Sequence, residues 1–131
     1  MGLLNLFSRK PVRFVTEEAF GLNMARQSET IPMMIEQLRT IGITEDRELK
    51  LEYLFNTNAR KKAAALAAEL TLLGYQVAHK MSSNKKQYVV TGWTAAMPMR
   101  VEVVSSWTRK MCELGYSHDC EFDGWGTTPT Q

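Results

Sequence analysis

The sequence Leu-Gly-Tyr occurs twice, each time between a segment with helical periodicity and a segment with strand-like character. The first copy spans residues 73–75 and the second spans residues 114–116. Glycine tolerates the left-handed conformation that closes a helix, after which the chain can leave extended. The two copies therefore predict two helix-to-strand units, ended by Gly74 and Gly115, and a duplicated β-α-β arrangement.

Apolar patterning predicts the elements around this duplication. Apolar residues that alternate with polar ones indicate strands, and apolar stripes with a period near four indicate helices. A polar turn at residues 82–86 joins two strands into a hairpin. The predicted order is a strand at 49–55, a helix with its apolar stripe at 63–73, strands at 75–81 and 88–91, a helix opened by Pro98, and a strand at 118–122.

The N-terminal third predicts further helix. Thr16 is a suitable start, and residues 28–30 offer a second one, with Pro32 tolerated in the first turn that follows. An apolar stripe ended by Gly42 then predicts a helix at about 30–41, preceded by a shorter or broken one. We divide the chain into an N-terminal arm and short helix at 1–29 with potential for mobility, a domain at 30–127, and a frayed tail at 128–131.

The order β-α-β-β-α-β with right-handed crossovers predicts one arrangement within the α+β class. This is the ferredoxin-like sandwich, a four-stranded antiparallel sheet with two helices on one face, here preceded by an N-terminal helix. The second face of the sheet, with Lys50, Glu52 and Leu54, stays uncovered unless that first helix or a partner covers it.

Composition narrows the function classes. The chain has 131 residues, 44% of them hydrophobic, and a net charge of +2, so no global charge favours a nucleic-acid or membrane partner. No apolar run has the length of a membrane span, and the N-terminus lacks the features of a secretory signal. Cys112 and Cys120 predict two reduced thiols, and together these features predict a cytoplasmic protein.

The C-terminal strand leads into residues 121–127, which read Glu-Phe-Asp-Gly-Trp-Gly-Thr. This motif resembles the end of the RraB family, the proteinaceous inhibitors of ribonuclease E. Phe55, a polar cap and an alanine-rich helix that reaches residues 73–77 are similar to the family's first β-α-β unit. The resemblance covers about residues 30–127.

The resemblance implies a non-enzymatic protein that binds the non-catalytic, disordered part of a ribonuclease and needs no cofactor. This chain departs from the family's best-known members, which are strongly acidic and end in an acidic tail, because it carries +2 and ends in Thr-Thr-Pro-Thr-Gln. The departure leaves the partner open between a ribonuclease, or its scaffold region, and a toxin that an immunity protein of this fold would neutralise.

Two sets of residues are candidates for partner binding. Aromatic residues dominate interface hot spots, and methionine suits adaptable surfaces. The first set, for a protein partner, is Phe122, Asp123, Trp125, Met33 and Met34. The second set, which we call the basic edge and which would serve an RNA-binding alternative, is Arg60, Lys61, Lys62, Lys85 and Lys86, with Lys80 beside them.

No catalytic or metal site is predicted. Cys112, His118 and Cys120 match no common zinc spacing, and no fourth ligand is evident. A nucleophilic pair of Cys112 and His118 lacks an orienting carboxylate and an oxyanion site. His79 and His118 are expected to lie partly buried on strand faces.

Overall fold

The computed structural model describes residues 12–131 and shows a mixed α+β architecture. Within that part of the chain there are three helices and two antiparallel sheets. The elements are α1 (Glu17–Thr40), β1 (Glu48–Leu49), β2 (Glu52–Thr57), α2 (Arg60–Leu72), β3 (Gln76–Met81), β4 (Tyr88–Trp93), β5 (Met97–Pro98), α3 (Val101–Ser117) and β6 (Glu121–Gly126). The larger sheet has the order β3-β4-β2-β6, and β1 pairs with β5 in a separate two-stranded sheet.

One hydrophobic core lies against one face of the four-stranded sheet. In β2, Tyr53 and Phe55 are fully buried while Glu52 is exposed, which is the alternation expected of a strand with one buried face. Helices α2 and α3 contribute to the same core cluster through their apolar stripes, so both belong to this side of the sheet. Their buried hydrophobic residues are Ala63, Leu66, Ala67, Leu70, Val104, Trp107, Met111 and Cys112.

Helix α2 ends as the first Leu-Gly-Tyr copy predicts. Gly74 has φ +85°. Its N–H donates to the carbonyl of Thr71 at 3.0 Å, and the N–H of Tyr75 donates to the carbonyl of Leu70 at 3.3 Å. These two bonds satisfy carbonyls that the helix would otherwise leave unpaired. The prediction for Gly74 is confirmed.

The prediction for Gly115 is wrong. Helix α3 continues to Ser117, and the left-handed residue after it is Asp119, with φ 56°. Gly115 is needed for packing, because a Cβ there would lie 2.8 Å from the Phe55 ring and 2.9 Å from the carbonyl oxygen of Cys120. The last strand therefore begins later than predicted, at Glu121.

The N-terminal helix is longer than predicted. Helix α1 is continuous from Glu17 to Thr40, and the hydroxyl oxygen of Thr16 accepts a hydrogen bond from the N–H of Ala19 at 3.1 Å, as a helix cap does. Pro32 lies inside the helix rather than in a first turn, so the predicted break is wrong. The predicted boundary between residues 29 and 30 falls within this helix.

Helix α1 lies beside α3 along the outer strand β6, and does not extend across the uncovered sheet face. The side-chain amide of buried Asn23 donates to the carbonyl oxygen of Phe122 at 2.8 Å. Arg26 and Gln27 in turn donate to the side-chain oxygen of Asn23. Helix α1 thus covers the edge of β6, whereas β3 forms the opposite edge of the sheet.

Two further segments differ from the expectations or add to them. Pro98 lies in β5, opposite Glu48, and α3 begins only at Val101, so Pro98 does not open the helix. At the C-terminus, the side chain of Gln131 both accepts a hydrogen bond from the N–H of Lys50 at 2.7 Å and donates one to its carbonyl oxygen at 2.8 Å.

Among residues 12–131, no helix combines the length and apolar character needed to cross a bilayer.

Candidate protein-binding groove

A groove of about 630 Å³ lies between the second half of α1 and the sheet face opposite the core. We call this face, which carries Glu52, Leu54 and Thr91, the open face. Helix α1 forms one wall, and strands β2 and β6 form the floor. The groove is lined by Gln27, Thr30, Met33, Met34, Glu52, Tyr53, Leu54, Thr91, Asp123, Gly124, Trp125 and Gly126.

The depth of the groove depends on glycine in β6. Leu54 pairs with Gly124 and Glu52 pairs with Gly126, so both glycines lie on the open face, where they present no side chain. A Cβ on Gly126 would meet no atom within 4 Å, which shows that the space above it is empty. The floor is therefore a trough beside Leu54.

An irregularity in β6 places Asp123 at the groove. The pairing of β2 with β6 shifts between Leu54 and Phe55, because Phe55 pairs with Phe122 whereas Leu54 pairs with Gly124. Asp123 is the extra residue of this bulge and is exposed. Bulges commonly redirect a side chain, and here the effect is to add a carboxylate to the groove.

Four of the five residues predicted for a protein partner line the groove. Met33 has 58% of its surface exposed, and Met34, Asp123 and Trp125 line the groove with it. Trp125 also packs edge-on against Trp107, with 6.5 Å between ring centroids, so it belongs to both the core and the groove. Phe122 lies outside the groove and is fully buried in the core.

Other lining residues were not singled out as candidates by the sequence. Gln27 and Thr30 precede the predicted residue Met34 at the helical spacing of three and four residues, which would have placed them on its face had α1 been predicted as continuous. Glu52 and Leu54 were expected on the uncovered face, but nothing in the sequence placed α1 next to them.

The groove carries negative charge. Glu52 and Asp123 are the two carboxylates among its lining residues, and none of these residues is a lysine or an arginine. Within residues 12–131, neither carboxylate takes part in an ion pair. An incoming cation would therefore meet two carboxylates with no competing partner among the lining residues.

A protein-family model, described as regulator of ribonuclease activity B, matches residues 29–127, which is more than half of the 131 residues. The chain belongs to the RraB family. The match covers the groove except for the α1 residues before residue 29, and it confirms the resemblance that the C-terminal motif indicated. No curated protein matches the chain significantly.

In this RraB-family chain the basic edge lies away from the groove, at the start of α2 and the tip of the β3–β4 hairpin. The Arg60 guanidinium lies 5.9 Å from the centre of the Tyr88 ring, which brings these two sites together. Lys61, Lys85 and Lys86 are exposed. The fifth member, Lys62, is engaged elsewhere, because its ammonium group donates to Asp119 at 2.6 Å and to Asn58 at 2.8 Å.

Asp119 joins the N-terminal segment of the RraB-family chain to the main body. Its carboxylate accepts hydrogen bonds from the N–H groups of Phe14 at 2.8 Å and Val15 at 2.7 Å, besides the one from Lys62. Burial alone would raise the pKa of this carboxyl group, but the hydrogen bonds from Lys62, Phe14 and Val15 outweigh burial and lower it. Asp119 is therefore a charged anchor in a mostly buried position.

The histidines and cysteines form no metal centre in the part of the chain that the structure describes, where no group of three potential ligands is close enough to hold an ion. His79 is exposed, contrary to the expectation. His118 is partly buried at the end of α3, with its Nε2 atom 3.2 Å from a Glu69 carboxylate oxygen, and does not lie in a strand.

The two thiols are expected to be unreactive in the folded protein. Cys112 and Cys120 are both buried, and burial raises the pKa of each to about 11. The thiolate is the reactive form, so near pH 8 each thiol would be both protonated and shielded. Titration with a disulfide reagent should detect neither thiol before unfolding and both after it. Rapid reaction of either thiol in native buffer would contradict the packing around α3.

Proposed function

We propose that this chain is a non-catalytic regulator that binds a ribonuclease through the groove and so alters its activity. The observation that carries the proposal is the convergence of Met33, Met34, Asp123 and Trp125 on one surface between α1 and the open face. The membership of the RraB family supports the target class, because the family model is described as a regulator of ribonuclease activity.

The chemistry of the groove supports binding rather than catalysis. The carboxylates of Glu52 and Asp123 could act as bases, but among the described residues that line the groove no histidine, cysteine, serine or lysine accompanies them. The hydroxyl of Tyr53 donates to the carbonyl oxygen of Gln76 at 2.6 Å, and burial raises the pKa of this phenol. What the groove offers instead is exposed thioether, aromatic and aliphatic surface, which is typical of protein interfaces.

Two finer assignments belong to this proposal. The strand order β3-β4-β2-β6, with α2 and α3 on one core, supports the ferredoxin-like arrangement of β-α-β-β-α-β. The family resemblance supports ribonuclease E as the target, through the disordered segment outside its catalytic region. The trough is open along the sheet, so an extended or helical segment of such a partner can enter it.

Ribonuclease E cleavage of a fluorescent RNA, followed while the protein is added, tests the proposal. We expect cleavage to slow when ribonuclease E carries its non-catalytic region, and to be unchanged when that region is removed. Unchanged cleavage of the complete enzyme at protein concentrations well above the micromolar range would contradict the proposal.

A pair of matched variants tests whether the groove is responsible. Met33→Ser removes an exposed apolar side chain from the groove wall, and Leu72→Ser removes one, 86% exposed, from α2. Because apolar anchors supply much of the energy of an interface, we expect Met33→Ser to weaken inhibition about threefold to tenfold. Leu72→Ser should inhibit as the unmodified protein does. Equal loss in both variants, or loss in Leu72→Ser alone, would place the interface elsewhere.

A further inference from the structure

Two sites on this near-neutral chain each carry charges of a single sign. The basic edge collects Arg60, Lys61, Lys85 and Lys86 at the start of α2 and the tip of the β3–β4 hairpin. The groove, which lies between α1 and the open face, has Glu52 and Asp123 as its charged lining residues. The net charge of +2 therefore hides a local negative site at the surface proposed for binding.

The apolar part of the groove determines what else an occupant must carry. Met33, Met34 and Leu54 line the groove beside the empty space above Gly126, whereas the Gln27 side chain lies over Gly124. A large apolar side chain can fill this space and exclude water from the three residues around it, which is the main source of affinity at such a site. A segment made only of charged residues would leave the trough unfilled.

We infer that the groove takes a segment of a partner protein that combines arginine or lysine with at least one large apolar side chain. The apolar side chain fills the trough beside Leu54, and the cations lie at Glu52 and Asp123. Complementary charge favours the correct partner over an acidic one. This inference rests on the proposed role as a protein-binding regulator and specifies the chemistry of what that role would bind.

The probes are three dye-labelled peptides of about a dozen residues, the length of an average helix. The first alternates leucine with arginine, the second alternates leucine with glutamate, and the third alternates serine with arginine. Their affinity for the full chain is measured by fluorescence anisotropy at two salt concentrations. We expect the affinity of the leucine–arginine peptide to exceed that of either other peptide by about tenfold or more. Its affinity should fall as the salt concentration rises.

Three variants connect the binding to the groove. Glu52→Gln with Asp123→Asn removes both charges without changing shape, and should weaken the leucine–arginine peptide about threefold to tenfold, since exposed ion pairs contribute modestly. Gly126→Leu should fill the trough and remove most of the binding. The matched control, Lys85→Glu with Lys86→Glu at the basic edge, should change the affinity less than twofold.

Several results would overturn the inference. They are equal or tighter binding of the leucine–glutamate peptide, unchanged binding after Gly126→Leu, and strong dependence on Lys85 and Lys86. Preferential binding of a short RNA at the same site would also overturn it.

The ribonuclease assay tests the proposed function separately from the peptide-binding assay. Peptide binding without any effect on cleavage would reject the proposed function alone, whereas inhibition that survives removal of both carboxylates would reject the charge assignment alone.

Discussion

Replacing Gly92 with alanine is expected to destabilise the protein by about 3 kcal/mol or more. Gly92 lies in β4, where it pairs with Tyr53 on one side and Val77 on the other. A Cβ on Gly92 would overlap the carbonyl oxygen of Gln76 and lie 2.6 Å from the hydroxyl oxygen of Tyr53. Because one obstacle is backbone, the conflict cannot be relieved by turning a side chain, and strand pairing must shift.

Gly21→Ala is the matched control for this substitution. Gly21 lies in α1, and a Cβ there would meet no atom within 4 Å. Alanine in a helix is favoured over glycine, so Gly21→Ala should stabilise the protein by about 0.5–1 kcal/mol. Urea unfolding of both variants measures the difference. A cost below about 1 kcal/mol for Gly92→Ala would show that β3, β4 and β2 are not paired as described.

Asp119→Ala is expected to cost about 3 kcal/mol of folding free energy. The substitution removes the acceptor for the N–H groups of Phe14 and Val15 and leaves the Lys62 ammonium group without its carboxylate. Buried donors that lose their partner carry the full cost of desolvation. The positive φ of residue 119 adds to the cost, since alanine adopts that conformation less readily than aspartate. Urea unfolding near pH 7 measures the loss.

The pH dependence of stability distinguishes the charge of Asp119 from its shape. The pKa of Asp119 is lowered from its ordinary value of 3.8, so its carboxylate stabilises the fold above that pH. This contribution is lost as the pH falls through the lowered pKa of the folded state. Asp119→Asn keeps the shape without the charge. We expect the stability difference between unmodified protein and Asp119→Asn to be constant above about pH 5 and to shrink below pH 4. A stability difference that increased as the pH fell would contradict the stabilising role assigned to the charge of Asp119.

Local patterns were sufficient to predict much of the fold from the sequence. Alternation in residues 49–55 identified the central strand, although the structure divides this segment between β1 and β2. The hairpin of β3 and β4 followed from its polar turn. These elements were predictable because their hydrophobic periodicity agrees with the structure that burial imposes on them.

Gly115 shows where local patterns fail. A glycine that ends a helix and a glycine that admits a neighbouring ring have the same sequence signature, and only the position of Phe55 separates them. Asp119 takes the left-handed position instead, because its carboxylate is held there by partners distant in sequence. The helix break predicted near Pro32 was wrong for a similar reason, because Ile31 and Ile35 pack in the core on either side of it and α1 stays continuous.

The candidate site was only partly predictable, because local patterns could select single residues but could not show that they lie together. Met33 and Met34 were selected because methionine suits adaptable contact surfaces, and both line the groove. Asp123 and Trp125 were selected from the C-terminal motif. Their convergence was not predictable, because it depends on α1 lying along β6 through Asn23 and the carbonyl of Phe122. The trough also depends on a register shift that no periodicity reveals.

The most direct test of the groove as the regulatory surface compares how strongly two variants, Gly126→Leu and Gly21→Leu, inhibit ribonuclease E. Both glycines have free space for a side chain, but only Gly126 lies in the groove. Thermal unfolding of both variants first establishes that they remain folded. The account predicts that Gly126→Leu loses inhibition about tenfold or more while Gly21→Leu inhibits fully. Full inhibition by folded Gly126→Leu would contradict it.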